Sequence, residues 1–152
     1  MSLKIRKILG PIQFNDPYSI GALQVIRELA AETHAEIVLM HSMPRSIVKP
    51  DLPGYRDLFA EDENAVVDEL KKLADQHLHG HHCAIVVKKG DPANMIKAAA
   101  QEVGSDLIVM ATHGRRGITH IVMGSTAEKV VREAPCMVLT IRPEILGEAV
   151  PE

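Results

Sequence analysis

The chain has 152 residues, 46% of them hydrophobic, with a formal net charge of −3 and a pI of about 6.2, which suits one domain with a core of its own. That balance leaves no electrostatic footprint for DNA or RNA, and 3% aromatic residues without tryptophan leave no base-stacking platform. No apolar run approaches the roughly 18 residues that a bilayer span needs, and MSLKIRKILG lacks the apolar core and cleavage site of a signal peptide, so the expectation is a cytoplasmic protein with neither nucleic-acid nor membrane partners.

Residues 4–11 read as a first strand, with Ile5, Ile8 and Leu9 as its apolar body and Gly10-Pro11 closing it. Asn15-Asp16-Pro17 reads as a helix start, Asp16 being the N-cap and Pro17 the first helical residue. Ile20, Leu23, Ile26 and Ala30 keep one face of that helix apolar to Thr33, and residues 36–41 form a second strand. From Met43 to Ala60 the pattern breaks, with Pro44, Pro50, Pro53 and Gly54 close together. A segment of that length inside a compact domain is either a lid over a binding site or a disordered insertion. A second helix is expected over residues 61–79, on Val66, Leu70, Leu73, Ala74 and His77, and a third strand over 83–87. Gly90-Asp91-Pro92 starts a third helix, carried by Ala93, Ile96, Ala99, Ala100 and Val103 and ended by Gly104.

Residues 106–111 are a short apolar run rich in branched side chains, as expected of a strand buried on both faces. Thr112 to Gly124 then carries three glycines, two adjacent arginines and two histidines. Ser125-Thr126-Ala127-Glu128 has the S-x-x-E spacing of a capping box, and Ala127, Val130, Val131 and Ala134 recur at helical spacing before Pro135. Residues 137–141 read as the last strand. Glycines let backbone N–H groups approach an anion closely, and a helix N-terminus adds unpaired donors and a positive dipole end. Arg115 and Arg116 add forked charge suited to phosphate. The plainer reading is a surface loop whose Ser125 caps the next helix.

The arrangement resembles the universal stress protein family, whose loop reads G-x2-G-x9-G-S/T after the fourth strand. Here Ala111-Thr112-His113-Gly114 is followed by nine residues and then Gly124-Ser125, so Ala111 replaces the first glycine. KILGPIQF and LMHSMP also fit the family pattern. The alternation of strands and helices itself implies an α/β fold with a parallel sheet and helices on both faces. The resemblance sets the strand order as 3-2-1-4-5, a three-layer, Rossmann-like fold akin to the adenine nucleotide alpha hydrolases. It implies one domain over residues 1–143, with a flexible tail over 144–152. Ligands in such sheets bind where the winding reverses, here between strands one and four.

The resemblance also implies a site for ATP or another adenine nucleotide, with or without magnesium. Carried over by position, the site takes Pro11, Ile12 and Gln13 at the end of strand one. It takes Ser42 after strand two, where the family sets backbone atoms against adenine. Ala111, His113, Gly114, Arg115, Arg116 and Gly117 follow on the loop, and Gly124, Ser125 and Thr126 close it. ATP-binding members end strand one in P-x-D-x-S, and here Gln13 replaces the acid; an amide hydrogen-bonds but cannot neutralise a cation. A further implication is a homodimer in which the last strand, residues 136–142, pairs antiparallel with its copy. The reading is a nucleotide-binding regulator of stress responses with an unknown protein partner, and its alternative is a nucleotide-independent interaction module.

Other chemistries find less support. The chain has neither G-x-x-x-x-G-K-S/T nor a G-x-G-x-x-G after strand one. His77, His79, His81, His82 and Cys83 are the densest metal-capable cluster, but they straddle a helix-to-strand turn without paired ligand spacing, so a solvated turn is expected and no metal. No nucleophile, base and orienting group stand together, and Asp106 has no obvious partner, so no catalytic residue is assigned, and slow ATP hydrolysis stays open. Cys83 and Cys136 begin opposite edge strands, which predicts two free thiols.

Overall fold

The computed structural model describes residues 3–45, 62–112 and 123–142. Strands and helices alternate along them: β1 (Lys7–Pro11), α1 (Pro17–Thr33), β2 (Glu36–Met43), α2 (Glu63–His77), β3 (Cys83–Lys89), α3 (Pro92–Val103), β4 (Leu107–Ala111), α4 (Ser125–Glu133) and β5 (Met137–Ile141). All strand pairs are parallel and the sheet order is β3-β2-β1-β4-β5, as expected. No helix among the described residues is long and apolar enough to cross a membrane.

Alternate side chains of each strand point to opposite faces, so the sheet has two apolar layers. One joins Ile8, Ile37, Leu39 and Val109 to Leu23 and Ile26 of α1 and to Val66 and Leu70 of α2. The other joins Leu9, Val38, Met40, Ile108 and Met110 to Ala93, Ile96 and Ala99 of α3 and to Ala127 and Val130 of α4. The helices start where the chemistry of their caps directs. The Asp16 carboxylate accepts from Tyr18 N at 3.0 Å, that of Asp62 from Asn64 N at 3.0 Å, and that of Asp91 from Asn94 N at 3.1 Å.

Several expectations are corrected. β1 begins at Lys7 rather than residue 4, because the N–H groups of Arg6 and Lys7 both turn to the Asp106 carboxylate, at 2.8 and 3.0 Å. Asp106 therefore has partners, and its own N–H returns to Lys7 O at 2.9 Å. Gly10 does not close the strand but lies buried within it under α1, where a Cβ would stand 2.7 Å from Ile26 Cδ1. β2 runs on to Met43 because β3 reaches Lys89 and pairs with it. The expected loop thus starts later, and its residues 46–60 lie outside the described residues, as does the expected tail.

The capping box at α4 does not form. Ser125 is already the first helical residue and Gly124 is the N-cap, so no side chain caps the helix, and Glu128 N donates to Gly124 O at 2.9 Å. Val131 is 46% exposed rather than part of the buried stripe, since α4 lies at the outer edge of the sheet against α3 and β5. Cys83 opens β3 and Cys136 precedes β5, at opposite sheet edges, and both thiols are free, as expected.

Candidate functional site

Beyond the carboxyl ends of β1 and β4, where the winding reverses, lies a cavity of about 240 Å³. It gathers Pro11, Ile12 and Gln13 from β1 and the turn after it, Ser42 from β2, Ala111 from β4, and Gly124, Ser125 and Thr126 from the start of α4. These are the expected site residues that the structure describes. His113, Gly114, Arg115, Arg116 and Gly117 lie outside the described residues. The cavity is also lined by residues that the sequence did not assign to a site, among them Asp16, Ser19, Met40, Pro92, Ile96, Met110 and Thr112. Period-two alternation places Met40 on the same face as Ser42, which is the signal that could have found it.

The turn from β1 into α1 is held from within. Ser19 Oγ accepts from Gln13 N at 2.8 Å and donates to Pro11 O at 3.3 Å, while Asp16 N donates to Gln13 O at 3.1 Å. Ile12 N donates to Met40 O at 2.8 Å, which carries the sheet ladder to the cavity floor. Behind it, a ring nitrogen of buried His41 lies 2.8 Å from Ile12 O, and the His41 ring packs on Phe14 with centroids 4.7 Å apart. The Gln13 side chain is exposed at the mouth.

Opposite this turn, α4 points its N-terminus at the cavity. Its first intrahelical acceptor, Gly124 O, serves Glu128, so by helix geometry the N–H groups of Ser125, Thr126 and Ala127 have no acceptor in the helix. Those donors and the helix dipole favour an anion. Gly124 N donates to Thr112 O at 2.7 Å, and Thr112 N to Ile141 O at 2.9 Å. The two ends of the glycine-rich segment are thereby tied together beside β4 and β5. Between the anion-seeking helix end and the β1 turn, Met40, Ile96 and Met110 form an apolar wall.

The third side is the end of β2. Ser42 Oγ donates to Gly90 O at 2.9 Å, and Gly90 N donates to Met43 O at 2.9 Å. Gly90 has a φ of 151°, within the range that favours glycine, and its Cβ would stand 3.1 Å from Met95 Sδ.

The histidine-rich turn lies at the other end of the sheet. Leu78 is buried behind it, Gly80 turns the chain with a φ of 88°, and Cys83 enters β3. Among the described residues no group of three or more His, Cys, Asp or Glu is arranged to hold a metal ion. Burial pushes the Cys83 thiol above its ordinary pKa, against a smaller opposing hydrogen bond with the Leu39 backbone.

A model of the universal stress protein family matches residues 4–142. One universal stress protein of Methanocaldococcus jannaschii is 35% identical over 145 residues, covering 90% of this chain and 82% of that protein. A second from the same organism is 26% identical over 159 residues, covering 93% and 98%. Among solved structures, a member of the family from Burkholderia pseudomallei superimposes with a TM-score of 0.64 at 29% identity, over 90% of this chain and 96% of that one. A universal stress protein in complex with cAMP shares the fold, with a TM-score of 0.64 at 19% identity over 91% and 98% of the two chains.

Proposed function

The chain belongs to the universal stress protein family, and on that premise we propose that it binds an adenine nucleotide, ATP or a close relative, and acts in the stress response through ligand-dependent interactions. The observation that carries this reading is convergence. Stretches around residues 11–13, 42, 111 and 124–126, far apart in the chain, meet around one cavity at the sheet's switch point. The cavity has an anion-seeking helix end on one side and an apolar wall of Met40, Ile96 and Met110 on another, as a phosphate tail and a base require. The cAMP complex of a structural neighbour is in keeping with it.

In this reading the phosphates lie on the first turn of α4, with Arg115 and Arg116 adding outer charge, and the base lies against the methionines. Binding alters the contacts with a partner, which requires that the ligand bind the two states with different affinity. The active form is a homodimer joined along β5. β5 is an edge strand whose Met137 and Leu139 are 42% and 38% exposed, and an edge strand with little charge invites pairing. The same edge favours the second reading, a dimeric interaction module that works without nucleotide.

Calorimetric titration with ATP separates the two. The protein is expected to bind ATP, and Gly124→Val to abolish binding while leaving the fold intact. Gly124 has φ −58° and ψ 155°, backbone that valine adopts without strain, and it lines the cavity, so the added side chain competes for the ligand's space. If the unmodified protein gives no heat with any adenine nucleotide at millimolar concentration, the interaction module takes its place.

A further inference from the structure

We propose that His41 is a positioning residue of the nucleotide site, its ring holding the Ile12 carbonyl and with it the β1 turn that lines the cavity. The inference rests on the nucleotide reading and concerns how one wall of that site keeps its shape. His41 is 7% exposed and falls at an inward position of β2, on the face that Ile37, Leu39 and Met43 give to the apolar layer under α1 and α2. An aliphatic side chain would fill such a position at no polar cost. A buried imidazole costs free energy unless its polar atoms are engaged, so its place here turns on a bond that an aliphatic residue could not make.

That bond is to Ile12 O, 2.8 Å from Nδ1. A carbonyl only accepts, so Nδ1 carries the proton and donates. The register of β1 with β2 ends at Pro11 and Met40, and beyond it Ile12 N donates to Met40 O at 2.8 Å. Adjacent residues of β2 thus grip both sides of residue 12, Met40 its N–H and His41 its C=O. The Ile12 C=O and the Gln13 N–H belong to one planar peptide. His41 therefore holds one end of that plane from the sheet, and Ser19 Oγ, which accepts from Gln13 N at 2.8 Å, holds the other from α1. Phe14 packs on the same imidazole, with ring centroids 4.7 Å apart. Ile12 and Gln13 both line the cavity, so releasing the His41 end lets this peptide turn and changes the wall that a ligand meets.

The test uses two amides that place a donor differently. Asparagine sets its NH2 group near where Nδ1 stands, whereas glutamine reaches to the position of Nε2. By calorimetric titration with ATP, on variants shown to be folded by circular dichroism, His41→Leu and His41→Gln should weaken binding about tenfold or more. His41→Asn should recover affinity to within about threefold of the unmodified protein. A role in stability alone would lower the thermal midpoint and leave the affinity of the folded protein unchanged. A second measurement needs no variant: nitrogen NMR of the unmodified protein should find the proton of the neutral His41 ring on Nδ1, with a resonance that moves as ATP is added. Unchanged ATP affinity in His41→Leu, equal losses in His41→Leu and His41→Asn, a neutral ring protonated on Nε2, or a ring resonance indifferent to saturating ATP overturns the inference and leaves the nucleotide reading standing. Absence of ATP binding to the unmodified protein removes both.

Discussion

Asp106 shows how one side chain can set where a strand begins. It stands just before β4, and its carboxylate takes the N–H groups of Arg6 and Lys7 just as β1 enters the sheet, while Lys7 Nζ reaches Val103 O at 3.0 Å. The carboxylate thus replaces the ladder partner that β1 lacks at its start. Asp106→Ala leaves two donors without that acceptor and is expected to lower unfolding free energy by about 1–3 kcal/mol, read from urea denaturation with an unchanged m-value. An unaltered midpoint would mean that water serves those donors equally well. Gly10 acts at the same scale through absence. Its missing side chain lets Ile26 of α1 come down onto β1, with Leu39 Cδ2 on the neighbouring strand only 3.2 Å from where a Cβ would be.

At the scale of elements, β5 is half engaged. Its ladder runs to β4 from Leu107–Met137 to Ala111–Ile141, and its other edge has no neighbour among the described residues. Thr112 N donates to Ile141 O, so Ile141 turns its backbone groups toward β4. By the alternation of a strand, Val138 and Thr140 turn theirs outward. Proline at either position removes an outward donor and spares the bonds to β4. Val138→Pro and Thr140→Pro are accordingly expected to be folded monomers by light scattering with circular dichroism, and the unmodified protein is expected to be a dimer. A dimer that persists in both variants would place the interface on another surface. The α4 start is a second lesson at this scale: S-x-x-E supplies the side chains of a capping box, but the box needs its serine in extended backbone, and here Gly124 takes that place.

The whole molecule assembles the cavity, and a prediction about metal follows from one residue that lines it. Gln13 lines the cavity and is exposed, and an amide cannot offset a divalent cation. Gln13→Asp is therefore expected to tighten magnesium-ATP relative to metal-free ATP, as the ratio of two calorimetric titrations; a ratio equal to that of the unmodified protein would show that the metal rests elsewhere. What the sequence determined by itself was whatever depends on neighbours in the chain. The apolar runs and their periods, the aspartate caps before α1 and α3, and glycine and proline punctuation set the elements and their order, and the spacing of Gly114 and Gly124 pointed to the family. Only tertiary structure decided where β2 ends, because Ser42 and Met43 are strand by virtue of pairing with Lys88 and Lys89. It alone gave Asp106 its partners, exposed Val131 at the sheet's edge, and brought Ser19, Met40, Ile96 and Met110 to the same cavity. Those facts depend on contacts between residues dozens of positions apart, and no local pattern of side chains encodes which distant backbone carbonyl a hydroxyl such as that of Ser42 will meet.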